Sequence, residues 1–441
     1  MISKLKEVRD NQGFMKYFRN TSWLFLEKIL RIAVGLFISI WIARYLGPSQ
    51  FGLFSYVQSF VGMFTIIAGL GLHEVLVREF VNGQLNETRL ILTAFWMRIF
   101  AFIFIILLLI ITLTFISNDT YTNNLIFITI SASAFSSFSV IDFYFQSKVV
   151  SKYTVYSTTI ALAISSILKV ILILNQAPLV AFVWIIPLET FIWASVLLFY
   201  YRRYKSKNRT FNIWIFDKNI AFTLLKYSWS LIFSSIVIAI YMKIDQVMIK
   251  EMLNVTATGQ YAAAVKLSEG WYFIPAIIAT SFFPAILNAK KQSQESYYFR
   301  LKKLYSIMVV TAIIIVLIVS LSSDWIINLL YGVEYSQASD VLKIHIFSSI
   351  FIFLGFISGK WLITENLQIY SMINTTLGMF LNILLNYIFI DSYGIIGAAW
   401  ATVITVLCSE YLFLSLFKKT RINFVLLTKS LLLYEIWRVK K

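Results

Sequence analysis

The chain has 441 residues, of which 59% are hydrophobic and 13% charged, and its formal net charge is +17. Soluble domains carry about 25% charged residues, so the composition excludes an ordinary soluble protein and predicts an integral membrane protein. The basic residues lie in loops between apolar segments, where they orient a membrane protein, and we therefore expect no nucleic-acid partner. A single cysteine, Cys408, excludes an intramolecular disulfide framework.

The first apolar stretch, residues 22–52, carries charged side chains well inside its first half. On a helix, Glu27, Lys28 and Arg31 fall within one sector of about 100°. A charge in hydrocarbon costs at least ~2.5–3.5 kcal/mol, so this stripe is expected to face protein or trapped water. Glu27 and Arg31 are four residues apart and are predicted to pair. Two cations on one face indicate an anionic partner.

Twelve apolar segments follow one another along the chain, each long enough to cross a bilayer. They lie at residues 20–43, 52–77, 90–116, 124–147, 153–174, 178–201, 222–249, 259–288, 304–323, 338–363, 367–390 and 394–417. Most of the 38 Lys and Arg residues fall at the two termini and in alternate gaps. The positive-inside rule therefore predicts that both termini and the central loop are cytoplasmic.

The central loop divides six segments from six. We predict an N-terminal six-helix lobe at 1–205, a cytoplasmic loop at 206–221, a C-terminal six-helix lobe at 222–417 and a cytoplasmic or interfacial tail at 418–441. Because six is an even number, the lobes should be parallel repeats with a substrate site at their interface. A weak internal repeat agrees: Ser228-Trp229 repeats Ser22-Trp23, and Gly259 falls where Gly52 would.

Charged residues also occur inside the second half. Lys243 and Asp245 are two residues apart and cannot face each other on one helix, so each needs a partner elsewhere. Lys266 and Glu269, three apart, are neighbours that could neutralise each other. Pro275 and Pro284 in the same segment remove backbone hydrogen bonds, which favours a kink beside the charged pair.

The sequence contains no catalytic constellation. Its two histidines, His73 and His345, belong to different halves, and it has neither metal-ligand spacing nor a phosphate-binding glycine loop. The longest outer segment, residues 322–337, is too small for a catalytic domain. We therefore predict that the protein is not an enzyme and binds no cofactor or metal.

Several motifs together resemble a known family. They are SWLFLEKILR at 22–31, ARYLGPSQFGLFSY at 43–56, DFYFQ at 142–146, YMKIDQVMI at 241–249 and QYAAAVKLSEGWYFIP at 260–275. They resemble the Wzx-type O-antigen flippases, in the polysaccharide-transporter family of the multidrug/oligosaccharidyl-lipid/polysaccharide exporter superfamily. One departure is Ser147, where we would expect a glycine after the glutamine.

This resemblance implies a MATE-like, all-α fold of about twelve transmembrane helices in a bacterial cell inner membrane. It implies a transporter that flips an undecaprenyl-pyrophosphate-linked oligosaccharide to the periplasmic leaflet by alternating access, coupled to H⁺ or Na⁺. Membrane lipids and the polysaccharide polymerase machinery are the other partners expected. For the site, we expect Lys28, Arg31, Lys266 and Lys243 to bind the pyrophosphate, and Glu27, Glu269 and Asp245 to couple the ion.

Two other functions compete with this interpretation. A drug or metabolite antiporter of the same superfamily would have the same twelve segments, but a cavity for cationic drugs should hold excess acid rather than Lys28, Arg31 and Lys266. A membrane-embedded glycan polymerase or glycosyltransferase would need a sizeable outer loop with catalytic side chains, which the sequence lacks.

Overall fold

The computed structural model describes residues 12–116, 118–205 and 215–432, and every regular element in these ranges is helical. The α-helices are α1 (Gln12–Gly69), α2 (Leu72–Asn82), α3 (Glu87–Thr114), α4 (Thr120–Ser136), α5 (Ser139–Ser147), α6 (Lys152–Leu174), α7 (Leu179–Tyr204), α8 (Lys218–Met252), α9 (Val255–Glu269), α10 (Phe273–Gln292), α11 (Gln294–Leu330), α12 (Ser336–His345), α13 (Ser348–Thr364), α14 (Gln368–Glu410) and α15 (Arg421–Leu431). Short 3₁₀ turns occur at Gly270–Tyr272, Val333–Tyr335 and Leu412–Ser415.

The twelve predicted segments are all present as helices. Within the described ranges, nine helical pieces are long and apolar enough to cross a membrane, or ten when the bent pair α12–α13 is counted as one. Two of these pieces contain a glycine with non-helical backbone, Gly47 in α1 and Gly394 in α14. Their φ angles of +69° and +60° are ones that glycine adopts readily. Pro48, directly after Gly47, is the first residue of the second helical part of α1. Dividing the two pieces at these glycines brings the number to twelve.

Several of the twelve segments are interrupted between their ends, the second of them between α1 and α2. The fourth is interrupted between α4 and α5, and the tenth bends by 49° between α12 and α13. The eighth is interrupted by the 3₁₀ turn Gly270–Tyr272. Pro275 has no N–H to bond the carbonyl of Trp271, so the predicted break beside Lys266 and Glu269 lies where the helix cannot complete its hydrogen bonds.

The contacts divide the chain into two compact units, which we describe separately. Unit 1 comprises Met1–Ile42 and Val57–Ala239, and unit 2 comprises Ala43–Tyr56 and Ile240–Lys441. The lobe boundaries predicted above remain a prediction, and most of the loop between them, residues 206–214, lies outside the described ranges. The core of unit 1 joins α2, α3, α5, α7 and α8 through Leu72, Leu76, Phe80, Leu90, Ala94, Val140, Phe145, Leu197, Tyr201 and Leu224.

Arg98 of α3 ties together two helix ends inside unit 1. Its side chain is buried and donates hydrogen bonds to the carbonyl oxygens of Gly69, at 3.2 Å, and Ser136, at 3.1 Å. These carbonyls belong to the last turns of α1 and α4, where no intrahelical partner is left. A buried guanidinium thus satisfies backbone groups that would otherwise be unpaired at this depth.

The tail forms a helix that packs onto unit 2. In α15, Asn423 is buried; its side-chain oxygen accepts a hydrogen bond from Tyr305 at 2.8 Å, and its amide donates to Ser358 at 2.8 Å. Leu426 and Leu427 are buried beside it. The predicted tail helix is therefore held by a specific polar contact as well as an apolar face. Residues 433–441 lie outside the described ranges.

Candidate functional site

The charged stripe of the first helix contains one buried acid and two accessible cations. Glu27 is 8% exposed, whereas Arg31 is 55% exposed and places Nη2 2.9 Å from the Glu27 carboxylate. The pairing predicted from their spacing is therefore confirmed. Lys28, on the same sector, is exposed. One cation neutralises the buried acid while the other remains accessible to a ligand.

A second helix of unit 1 adds an acid to this group. Asp142, near the start of α5, accepts a hydrogen bond from Thr154 at 2.7 Å and interacts electrostatically with Arg31 and His73. His73 Nε2 lies 3.0 Å from the side-chain oxygen of Gln146. Asp142 and Gln146, the first and last residues of the DFYFQ motif, therefore lie near the charged stripe. The sequence analysis did not connect them, although an acid and an amide four residues apart in an apolar segment share a helix face.

In unit 2, Asp245 of α8 is the centre of a buried hydrogen-bond network. Its Oδ2 accepts from the hydroxyls of Tyr261, at 2.9 Å, and Thr402, at 2.7 Å, and its Oδ1 accepts from the amide of Asn386 at 2.7 Å. Asn382 is a further hydrogen-bonding neighbour. These donors come from α9 and from both parts of α14. The carboxylate is thus held by neutral groups from several helices.

Two amide side chains near Asp245 carry an oxygen that no described residue bonds to. Among the described residues, none donates a hydrogen bond to the side-chain oxygen of Asn382 or of Asn386, and both residues are buried. Buried polar atoms normally have a partner, which may be an ion or a water. The amides turn their nitrogen atoms to the carboxylate. Carboxylate, amide and hydroxyl oxygens are nevertheless the ligand types that hard cations prefer, and all three occur in this network.

The remaining predicted residues form a second charged group in unit 2. Glu269 is half-buried and interacts electrostatically with Lys243 and Lys266. Lys243 is half-buried and Lys266 is exposed. The prediction that Lys243 and Asp245 find separate partners is confirmed, because Lys243 lies near Glu269 whereas Asp245 is bonded to Tyr261, Thr402 and Asn386.

His345 is satisfied within unit 2. The buried imidazole lies with Nδ1 2.9 Å from the Ser268 hydroxyl, and its ring packs edge-on against Tyr261 at a centroid separation of 6.1 Å. It therefore stabilises the helix packing beside the Asp245 network.

Sequence reasoning identified the acid of this network but missed its ligating partners. A signal was available: Asn382 and Asn386 are one turn apart in the apolar run FLNILLN. Thr402 and Tyr261 gave no comparable signal, because single hydroxyl groups are common in membrane helices. The structure gathers Glu27, Lys28 and Arg31 in unit 1 and Lys243, Asp245, Lys266 and Glu269 in unit 2; a cavity shared by both groups remains a prediction.

Known proteins share this fold. The structure titled "Lipid II flippase MurJ, inward closed conformation" superposes with a TM-score of 0.71 and 16% identity, covering 94% of this chain and 92% of that one. An inward-facing multidrug resistance MATE family transporter of the MOP superfamily superposes with a TM-score of 0.69 and 14% identity, covering 90% of this chain and 95% of that one. At these identities the likeness concerns the fold, and the predicted MATE-like architecture is confirmed.

Sequence comparison places the chain in a family. The chain is 27% identical over 199 residues to the "probable low-salt glycan biosynthesis flippase Agl15" of Haloferax volcanii, a match over 43% of this chain and 42% of that relative's length. Residues 17–290 match the family described as polysaccharide biosynthesis protein. Since this match spans more than half of the chain, the protein belongs to that family.

Proposed function

We propose that the protein is a flippase that moves an undecaprenyl-pyrophosphate-linked oligosaccharide, an O-antigen repeat unit, from the cytoplasmic to the periplasmic leaflet of a bacterial inner membrane. It acts as a transporter by alternating access and not as an enzyme. Membership of the polysaccharide biosynthesis family supports this proposal, as does the fold shared with a lipid II flippase. A relative named as a glycan flippase agrees with it.

The observation that carries the proposal is the accessible cation pair on the first helix. A pyrophosphate is anionic and needs fixed positive charge to leave water. Lys28 and Arg31 are exposed although they lie well inside an apolar span. Among the described residues, Arg31 forms an ion pair with Glu27 and Lys28 forms none. In the second half, Lys243 and Lys266 supply further positive charge. All four contact the pyrophosphate in this mechanism, while the polyprenyl tail stays in lipid.

The ion coupling proposed for this transport rests on Asp245. The carboxylate is buried, and the amides of Asn382 and Asn386 hydrogen-bond to it while their own oxygens accept no hydrogen bond from the described residues; a rearrangement of these amides on ion entry would supply oxygen ligands for Na⁺, and the carboxylate alone could take up H⁺. Binding would neutralise the carboxylate and change the hydrogen bonds that join α8 to α9 and α14. Glu27 and Glu269 are the other coupling acids, since each lies beside a cation that an arriving phosphate would draw away.

Deletion of the gene in its host tests the function. We expect surface polysaccharide to disappear and lipid-linked repeat units to accumulate on the cytoplasmic side, and a plasmid-borne copy to restore both. The matched control is a Lys28→Ala copy produced at the same level, which should restore neither fully. Normal surface polysaccharide together with new sensitivity to cationic drugs would instead support the antiporter alternative. Co-purification with the polysaccharide polymerase would support the proposed association with that machinery.

A further inference from the structure

A polar cavity separate from the Asp245 network lies within unit 2. It is a partly open cavity of about 270 Å³ between α13, α14 and the 3₁₀ turn Leu412–Ser415. One water occupies about 30 Å³ of liquid, so the space holds several waters or a small hydrated ion. Its lining combines the carboxyl group of Glu410 with the side chains of Asn374, Ser371 and Thr375.

The described lining of this cavity holds one acid and no basic side chain. Among the described residues that line it, none is Lys, Arg or His. The Glu410 carboxylate packs directly on α13, where a Cβ added to Gly355 would collide with it. Glu410 is partly buried, and since the described lining offers it no basic side chain, a proton or another cation would lower the cost of holding its charge there.

A buried amide side chain lines the same space. Asn374 is 4% exposed and lines the cavity, and among the described residues none donates to its side-chain oxygen. A buried amide oxygen without a donor is a vacant acceptor for a cation or its water. The lining therefore supplies oxygen ligands and negative charge, which favours a cation over an anion.

Tyr241 connects this cavity to the Asp245 network. Its hydroxyl lies 3.4 Å from the Ser409 hydroxyl, which lines the cavity, and it interacts electrostatically with both Glu410 and Asp245. Tyr241 is one helical turn from Asp245 on α8. Both acids thus interact with one tyrosine, and each has different polar neighbours.

We propose that the Glu410 cavity is a second cation site, distinct from Asp245, that binds Na⁺ or H⁺ with Glu410 and Asn374 as its oxygen ligands. The two acids then give the protein a stoichiometry of two cations per chain. This inference does not depend on which lipid or solute is transported.

Direct binding measurements test the site. The full-length protein in lipid nanodiscs is titrated with radioactive sodium at constant pH, and its proton uptake is measured separately in sodium-free choline buffer. We expect Glu410→Gln to bind one sodium ion fewer per chain in the sodium titration, or to take up one proton fewer in choline buffer. The measurement that changes identifies the ion. Asp245→Asn should retain the ion held at Glu410. Glu295→Gln, an exposed glutamate of α11, is the matched control and should bind as the parent does.

Two further measurements do not depend on the folding of Glu410→Gln. Asn374→Ala keeps the charge but removes one oxygen ligand, and should weaken sodium binding about tenfold. In the unmodified protein, a hydrophobic carbodiimide should label Glu410, as read by mass spectrometry, and either sodium or raised pH should suppress the labelling. Labelling of Glu410 that neither condition changes, or cation binding in folded Glu410→Gln equal to that of Glu295→Gln in both arms, would overturn the proposal.

Discussion

Gly52 of α1 and Gly259 of α9 pack against each other within unit 2. Gly52 contacts Val255, four residues before Gly259, and Gly259 contacts Pro48, four residues before Gly52. A Cβ at Gly52 would overlap the carbonyl oxygen of Val255, and a Cβ at Gly259 would overlap that of Pro48. The contact is reciprocal and uses small residues to bring two backbones together, as in GxxxG-type membrane helix pairs. The two glycines that the internal repeat had matched are therefore direct neighbours.

Alanine at either glycine should destabilise the protein. We expect Gly52→Ala and Gly259→Ala each to cost about 1–3 kcal/mol of stability from overpacking, which outweighs the gain in helix propensity of about 0.5–1 kcal/mol. Thermal unfolding followed by fluorescence-detected size exclusion measures this effect. Gly35→Ala is the control, because no atom lies within 4 Å of its Cβ position. Equal stability of Gly259→Ala and Gly35→Ala would contradict the close contact.

The topology predicted from the basic residues can be tested by cysteine labelling. After Cys408 is replaced by serine, Lys207→Cys in the central loop should react with an impermeant thiol reagent only when cells are opened, since positive charge marks cytoplasmic loops. Asn118→Cys, in a predicted outer gap, should react in intact cells. Labelling of Lys207→Cys from outside intact cells would reverse the orientation.

The role of Arg31 can be separated from its ion pair with Glu27. Arg31→Ala alone leaves a buried acid without its partner and should lower folded protein. In Glu27→Gln/Arg31→Ala both charges are removed, so folding should recover while transport stays low. If Arg31 serves only to neutralise Glu27, transport should recover as well. Measurement of lipid-linked glycan transport and of folded protein in the single and double variants distinguishes the two outcomes.

Lys28 tests the anion site without disturbing a buried pair. Its side chain is exposed, so Lys28→Ala should insert normally. Hydrogen bonds to charged groups are worth about 1.5–3 kcal/mol, so transport should fall roughly tenfold to a hundredfold. Lys28→Arg keeps the charge and should be milder, although its hydrogen-bond geometry differs. Full transport by folded Lys28→Ala would remove this residue from the proposed site.

Hydropathy and helical spacing predicted the features that depend on neighbouring residues. The twelve segments and the Glu27–Arg31 pair follow from composition and from a spacing of four. The Asp245 network could be predicted only in part: Asn382 and Asn386 are one turn apart in the sequence, whereas only packing brings the partners at positions 261 and 402 to Asp245. The same difference applies to the helix breaks. Pro275 marks one break in the sequence, whereas the bend between α12 and α13 falls at residues that include no Gly or Pro and could not be predicted.

Asp245 offers the most direct test of ion coupling. Asp245→Asn removes the charge but keeps side-chain size, and the hydroxyls of Tyr261 and Thr402 can still bond to the remaining oxygen. We therefore expect the variant to fold and to bind lipid-linked glycan while its transport no longer responds to a Na⁺ or H⁺ gradient. Tyr261→Phe keeps the acid and should retain the response with weaker ion affinity.

The acids beside the cations are tested with the same assay. If Glu27 and Glu269 couple the ion, protonation of each glutamate frees the neighbouring Arg or Lys side chain to bind the phosphate. Neutralising both glutamates removes this step and should abolish gradient-dependent transport. If they act only as ion-pair partners of Arg31 and of the Lys243–Lys266 group, Glu269→Gln should mainly reduce folded protein. Transport that stays gradient-dependent in folded Glu27→Gln/Glu269→Gln but not in Asp245→Asn would assign coupling to Asp245 and exclude both glutamates.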